Sequence, residues 1–242
     1  MKINFTIPEE QELYIGQLLE TMEYFSSETY IHMLNTAEIA LTLAERLKLD
    51  NESAKKLYIA ALVHDAGKLQ IASQILHNPH ITAEEYALIK KHPINSMLIL
   101  KGHLPDDIVT IAFHHHEMPN GKGYPQGLSN EQLSELDKML AVCDVTSALV
   151  LPRSYKDPLS KTQVIDILTD KAQKGELDKT YTDAVISCYV KRSDNVQTED
   201  GEKNFHFDDN ATQSTSSQDN VTQNGTAPTS ANQNNEKEGR EQ

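Results

Sequence analysis

Apolar residues recur at helical spacing along almost all of residues 1–193 of this 242-residue chain. Such spacing puts apolar side chains on one face of a helix, whereas a half-buried strand needs strict alternation, which no long segment has. The pattern predicts helices at 9–25, 28–48, 55–65, 82–100, 106–116, 129–151, 160–173 and 180–192. With no internal repeat, the chain is predicted to be all-α, a single helical domain.

Two of these helices carry further detail. The first has an inward face formed by Leu13, Leu18, Leu19 and Met22. The fourth opens at Thr82, whose spacing from Glu85 resembles a capping box. Because proline cannot donate a backbone hydrogen bond, Pro93 is expected to kink or restart this helix just after His92.

The composition of the chain changes near residue 194. Beyond it Asn, Gln, Ser, Thr, Asp and Glu dominate, and so little apolar surface cannot offset the entropy lost on ordering. We therefore expect a disordered polar and acidic tail at 194–242. Residues 28–193 form the predicted domain, and residues 1–27 form a helical extension before it.

The net charge of −14 argues against a general nucleic-acid-polymer binder, since phosphates would be repelled. A small anionic substrate fits if metal ions supply local positive charge. Two cysteines, Cys143 and Cys188, in apolar helical surroundings fit a reducing compartment. The N-terminal residues turn acidic before any signal-like apolar segment, and no apolar run is long enough to cross a bilayer. These features predict a cytoplasmic protein without a membrane span.

Histidines and carboxylates gather at a few places. Residues 114–125 read HHHEMPNGKGYP, and fifty residues upstream His64-Asp65 precede Gly67 and Lys68. Glu28 and His32 lie four residues apart, hence on one helix face. Imidazoles are common ligands of catalytic transition metals.

Two carboxylates, Asp65 and Asp144, fall in apolar helical surroundings, where an acid is costly to bury unless it is paired or metal-bound. Mixed nitrogen and oxygen ligands suit iron, manganese or zinc. Simpler interpretations remain open: Glu28 and His32 as a solvated pair, and His115 and His116 as side chains that interact with a helix dipole. We expect His114 to flank the site.

Five strings in this order resemble the HD-GYP domain, a branch of the HD superfamily of metal-dependent phosphohydrolases. They are ALVHDAGK (61–68), ILHNPHITAEEYALIKKHP (75–93), HHEMPNGKGYPQGL (115–128), LAVCDVTSAL (140–149) and RSYK (153–156). The resemblance implies an all-helical fold and a phosphodiesterase that hydrolyses cyclic di-GMP to pGpG, GMP or both.

The resemblance also implies a centre of two or three divalent metal ions, iron or manganese, whose bound hydroxide attacks phosphorus. The implied ligands are Glu28, His32, His64, Asp65, His92, His115, His116 and Asp144. Asp65 is expected to bridge metals, and Glu28 is typical of the trinuclear type. Lys68, near the ligands, is expected to reach the scissile phosphate as a catalytic residue. Substrate contacts are implied for Tyr124, Arg153 and Lys156.

Several residues depart from the family pattern. Met118-Pro119-Asn120 stands where an aromatic residue and an acid are usual, Ser147 replaces the second acid of D-x-x-D, and Asn35 replaces an arginine. The altered stretch at 118–120 keeps open a phosphohydrolase for another cyclic dinucleotide or nucleotide. A second alternative, a non-catalytic dinucleotide-binding module that signals through a regulatory protein partner, is suggested by the short helical segment before Glu28.

Overall fold

The chain folds into helices alone over the part described by its computed structural model, residues 3–151 and 159–195, with side chains to residue 188. A 3-10 helix at Ala66–Gln70 lies between the third and fourth α-helices. The α-helices are α1 Glu9–Phe25, α2 Ser27–Leu47, α3 Asn51–Val63, α4 Ser73–Leu76, α5 Ala83–Ile89, α6 His92–Leu100, α7 Asp106–Phe113, α8 Glu135–Val150, α9 Lys161–Gln173 and α10 Lys179–Asn195. The described residues contain no β-strand, which confirms the all-α prediction. From residue 196 onward the predicted tail lies outside the described residues.

Short polar side chains fix where several helices begin. The Ser26 hydroxyl accepts a hydrogen bond from the Thr29 amide at the start of α2, and Asp50 accepts two from the first turn of α3. The predicted capping box is present, since Thr82 and Glu85 each satisfy the other's backbone amide. Such caps satisfy N–H groups that have no partner within the helix.

Helix α2 lies at the centre of the domain, packed against α1, α3, α8 and α10. The largest fully buried apolar side chains come from many helices and make one continuous core. They are Met22, Met33, Leu43, Leu57, Ile59, Leu100, Ile108, Leu140 and Leu168. Residues of α2 and α8 are part of this core, and the same two helices carry His32 and Asp144.

Some predicted details were wrong. Leu13 is 62% exposed, and Ile15 takes the buried position on α1. The helix predicted at 82–100 is two helices, and the break comes before His92 because Pro93 occupies the first turn of α6, where a missing N–H does no harm.

The helices on either side of the glycine loop are shorter than predicted. Helix α7 ends at Phe113, so the three histidines follow it in a turn. Helix α8 begins at Glu135 because Ser134 caps it with Asp137.

Within the described residues, we find no helix whose length and apolarity would let it span a bilayer. Cys143 and Cys188 form no disulfide with each other, and Cys143 is buried in the core.

Candidate metal centre

Six predicted ligands beyond Asp65 come from five separate parts of the chain. His32 lies in the middle of α2, His64 directly follows α3, and His92 is the first residue of α6. His115 and His116 lie in the turn after α7, and Asp144 is in the middle of α8. Folding therefore brings together side chains that are as far as 112 residues apart in sequence.

The 3-10 helix that follows Asp65 packs directly on the backbone of α6. A Cβ atom on Gly67 would lie 2.1 Å from the His92 carbonyl oxygen and 2.4 Å from the Ser96 amide, so only glycine fits. The Gly67 amide donates to Ser96 Oγ at 2.8 Å, and that hydroxyl donates to the His64 carbonyl at 2.7 Å. Ser96, which the sequence interpretation missed, thus joins His64 to the helix of His92. Its position one turn after His92 was the available signal.

The ligand atoms form two groups with Asp65 between them. One group contains His32, His64 and Asp144, and the other contains His92, His115 and His116. Asp65 Oδ2 lies 3.4 Å from His64 Nε2, while Asp65 Oδ1 lies 3.2 Å from His92 Nε2. One carboxylate therefore faces both groups, as a bridging ligand must.

Three of the imidazoles are oriented by the same backbone contact. Nδ1 of His64, His92 and His115 lies 2.8, 2.7 and 2.6 Å from the carbonyl oxygen three residues earlier. A carbonyl only accepts, so each Nδ1 carries the hydrogen and each Nε2 turns inward. Ring orientation by a backbone carbonyl is typical of metal-ligating histidines.

This orientation leaves bare nitrogen lone pairs facing one another. His92 Nε2 and His115 Nε2 lie 3.0 Å apart, and in the neutral rings neither carries a hydrogen to share. Asp65 Oδ1 is buried and accepts no hydrogen bond from any described residue. Converging lone pairs beside a buried carboxylate fit a divalent cation, which would satisfy all of them at once.

The local electrostatics agree with this donor set. Burial lowers the pKa of His92 to about 3 and that of His116 to about 4, which keeps both rings neutral at physiological pH. Burial opposes ionisation of Asp65, yet Lys68 and His64 hold its pKa well below the usual range. The carboxylates of Asp65 and Asp144 outweigh burial at His64 and raise its pKa to about 10.

Lys68 lies at the edge of the centre on the 3-10 helix. Its Nζ donates to Asp65 Oδ2 at 2.6 Å, and its side chain is about one-fifth exposed. The ammonium thus lies between the carboxylate and an adjoining cavity.

The glycine loop is held beside the centre by a buried carboxylate. Glu117 accepts hydrogen bonds from the amides of Gln126, Gly127 and Leu128 at 2.6, 3.2 and 2.9 Å. A Cβ atom on Gly123 would lie 2.3 Å from the Met118 amide, so the loop closes tightly on itself. Glu117 was not singled out from the sequence, although its place between the histidines and the glycines was the available signal.

A cavity of ≈ 500 Å³ opens from the centre. One wall is apolar and comes from the second half of α8 and the residues after it, with Leu149 and Leu151 among its members. Tyr86 and Tyr124 also line the cavity, and Lys90 Nζ lies 4.5 Å from the Tyr124 ring centroid. Lys171 of α9 also lines the cavity. Tyr86, Lys90 and Lys171 were not predicted as site residues.

Not every predicted site residue is found at the centre. Glu28 lies four residues, about 6 Å of rise, before His32, and none of the candidate ligand groups among the described residues includes it. Arg153 and Lys156 lie outside the described residues. His114 points away, with Nδ1 3.3 Å from Asp137 and Nε2 3.1 Å from Gln126.

The unusual stretch Met118-Pro119-Asn120 is attached to the end of α9. The Asn120 amide donates to the Gly175 carbonyl at 2.9 Å, and Asn120 Nδ2 donates to the Lys174 carbonyl at 3.0 Å. Its Oδ1 accepts from the Lys122 amide. All three polar groups of Asn120 are thus used in fixing the loop, and Asn120 does not line the cavity.

The profile of the family described as HD domain matches residues 15–181, more than half of the chain. The chain therefore belongs to the HD domain family. Relatives named as phosphodiesterases confirm the predicted HD-GYP membership. A 3'3'-cGAMP-specific phosphodiesterase of Vibrio cholerae is 34% identical over 65% of this chain and 37% of its own length. A cyclic di-GMP phosphodiesterase of Pseudomonas aeruginosa is 36% identical over 57% of this chain and 34% of its own length.

A third relative, the cyclic di-GMP phosphodiesterase response regulator RpfG of Xanthomonas campestris, is 31% identical over 74% of this chain and 48% of its own. The chain thus spans between a third and a half of the length of these relatives. The HD domain of the Listeria monocytogenes phosphodiesterase PgpH, solved in complex with cyclic-di-AMP, aligns with a TM-score of 0.59 at 17% identity. The alignment covers 77% of this chain and 99% of the Listeria chain, and it supports the helical fold.

Proposed function

We propose that this protein is a divalent-metal-dependent phosphodiesterase that opens cyclic dinucleotides, with cyclic di-GMP as its substrate and pGpG or GMP as its product. The observation that carries the proposal is the pair of ligand groups bridged by Asp65, in which the Nε2 atoms of His92 and His115 face each other without a hydrogen between them. Such a donor set suits iron or manganese.

Seven side chains would hold a two-metal centre: His32, His64, Asp65, His92, His115, His116 and Asp144. When bound, the metals supply a nucleophile at neutral pH and neutralise charge on the phosphoryl oxygens. A third metal held by Glu28 stays a prediction.

The chain's own residues handle the rest of the reaction. Lys68, whose Nζ lies 2.6 Å from Asp65 Oδ2 at the edge of the centre, can donate a hydrogen bond to the scissile phosphate and a proton to the leaving 3′ oxygen. The wall formed by Leu149 and Leu151 offers an apolar face to a base. Tyr124, which also lines the cavity, offers a stacking surface, and Lys90 next to its ring can pair with the second phosphate.

The choice of cyclic dinucleotides rests on the cavity and on the names of the relatives. Pockets of 300–1,000 Å³ typically take small-molecule ligands, and ≈ 500 Å³ falls within that range. Relatives named for cyclic di-GMP and for 3'3'-cGAMP match at similar identity. The stretch at 118–120, a reason to consider another substrate class, makes its hydrogen bonds with α9 and the loop itself.

The test is product analysis. The protein is loaded anaerobically with Fe²⁺ or Mn²⁺ and incubated separately with cyclic di-GMP, 3'3'-cGAMP and cyclic di-AMP, and products are separated by liquid chromatography. We expect linear dinucleotide from cyclic di-GMP at the highest rate. Asp65→Asn, which removes the bridging charge, is expected to lose metal and activity together. Asp170→Asn, which changes an exposed carboxylate paired with Lys174, is the matched control.

Two results would contradict the proposal. Dinucleotide that binds the metal-loaded protein but stays intact would favour the non-catalytic signalling module. Faster cleavage of a different nucleotide would keep the phosphodiesterase and replace the substrate.

A further inference from the structure

We propose that Ser147 and Asn35 act together as positioning residues for the metal ligand His32. Ser147 Oγ lies 2.9 Å from His32 Nδ1 and 3.0 Å from Asn35 Nδ2. Ser147 is fully buried on α8, three residues after Asp144, whose Oδ1 lies 2.9 Å from His32 Nε2. One helix therefore carries the side chains that lie next to both nitrogens of the His32 ring.

Three polar groups surround Ser147 Oγ, and their hydrogen-bonding capacities define its role. Asn35 Nδ2 can only donate, so it occupies one lone pair of Ser147 Oγ. The hydroxyl hydrogen points to the His32 carbonyl oxygen at 3.2 Å. We assign the remaining lone pair to a hydrogen on His32 Nδ1, the tautomer in which Nε2 keeps the free lone pair that a metal ligand needs.

This contact takes the place of the backbone carbonyl used elsewhere in the centre. His64, His92 and His115 each use the carbonyl three residues earlier. His32 lies inside α2, where carbonyls are engaged by the helix, so its Nδ1 needs a side-chain acceptor. Ser147 supplies it from the facing helix.

The pair also connects two sequence features that look unrelated. Asn35 and Ser147 are two of the residues at which the sequence was interpreted as departing from the pattern of the family it resembles. Since the two side chains touch, we interpret the two departures as one coupled replacement, in which a neutral hydrogen bond stands in for an acid and an arginine.

The first experiment measures Mn²⁺ affinity by calorimetry, so it needs no substrate. Ser147→Ala is expected to weaken Mn²⁺ binding by about 10–100-fold, the range typical of residues that orient a ligand. Asn35→Ala, a change at a half-buried position that the fold tolerates more easily, is expected to weaken binding in the same direction. Thr146→Val is the matched control, because this neighbouring buried hydroxyl donates to the Val142 carbonyl and does not contact a ligand.

A second experiment separates positioning from simple packing. Ser147→Asp and Asn35→Arg are each expected to weaken Mn²⁺ binding, since each adds a charge without its partner. The double variant should bind more tightly than either single variant. In turnover assays at fixed metal concentration, Ser147→Ala should lower kcat with little change in KM for cyclic di-GMP.

The inference rests on the proposed metal centre, and its failure can be told apart from failure of the proposed function. Unchanged Mn²⁺ affinity in folded Ser147→Ala and Asn35→Ala would overturn it. So would a double charge variant that binds no better than the weaker single variant. Wild-type protein that binds Mn²⁺ but cleaves no cyclic dinucleotide would overturn the proposed function alone.

Discussion

Individual hydrogen bonds determine which nitrogen of each histidine ring faces the centre. Backbone carbonyls hold His64, His92 and His115 so that their Nε2 atoms converge. Because these acceptors are part of the backbone, no substitution of a neighbouring side chain removes them. Asp65 and Lys68 then set the charge on the side that faces the cavity.

Lys90 provides a prediction about substrate binding at this scale. We expect Lys90→Gln to raise KM for cyclic di-GMP about fivefold to tenfold, equivalent to about 1–1.4 kcal/mol, with little change in kcat. The reason is that Nζ lies beside the Tyr124 ring, and Lys90 is in none of the candidate ligand groups among the described residues. Lys91→Gln, a change at the exposed neighbour, should leave both constants as they are. Steady-state kinetics on the metal-loaded protein check this, and a kcat effect larger than the KM effect would contradict it.

Short elements, rather than long helices, set the spacing of the ligands. The 3-10 helix lies against α6 at a distance that excludes even a Cβ atom on Gly67. This close approach brings Asp65, at one end of the 3-10 helix, to the first residue of α6, His92. The two halves of the centre are joined here.

Gly67→Ala is therefore expected to lower the free energy of unfolding by about 1–3 kcal/mol, the usual range for overpacking, and to weaken metal binding. Gly16→Ala is the control, since nothing lies within 4 Å of its added Cβ and alanine is favoured in a helix by up to about 1 kcal/mol. Urea denaturation of the metal-free proteins measures the free energy of unfolding of the two variants. Equal stability of the two variants would be evidence against direct backbone packing.

The glycine loop depends on Glu117, which accepts from three consecutive backbone amides. We expect Glu117→Gln to lower the free energy of unfolding by about 1.5–3 kcal/mol, because hydrogen bonds to a charged acceptor are the stronger kind. Hydrogen exchange at the amides of Gln126, Gly127 and Leu128 should rise. Glu131→Gln, at a carboxylate that accepts only from Ser129 among side-chain donors, should leave their protection unchanged. Unchanged exchange in Glu117→Gln would show that the loop is held by other contacts.

Across the whole molecule, the centre joins helices that are distant in sequence. Its ligands come from α2, α6, α8 and the turns after α3 and α7. A cation bound there would stabilise the folded protein and not the unfolded chain, which has no preformed site.

We accordingly expect removal of metal with EDTA to lower Tm by about 5–10 °C. Binding at 100 times Kd is worth about 2.7 kcal/mol, and each kcal/mol shifts Tm by about 2–4 °C in a domain of this size. Calorimetry with and without Mn²⁺ measures the shift, and Asp65→Asn should show little of it. Equal Tm values for the wild-type protein in Mn²⁺ and in EDTA would contradict a structural contribution from metal.

Much of the fold followed from local chemistry. Helical spacing located every long helix, and Thr82 marked the start of α5. The predicted details that were wrong depended on tertiary packing or on a helix cap that was not recognised in the sequence. Leu13 fits an apolar stripe, yet it faces outward because α1 packs through Ile15. Helix α8 starts late because Ser134 and Asp137 cap each other.

The sequence by itself determined the helical class and, through the order of its motifs, which histidines and carboxylates to examine, because periodicity and residue chemistry are local. Only the tertiary structure decided how these groups meet. It brought Asp65 between two ligand groups, turned Asn120 toward α9, and left Glu28 apart from the ligand groups. It also joined Asn35 to Ser147, 112 residues apart. Such contacts depend on how helices pack, and helix packing depends on the whole core.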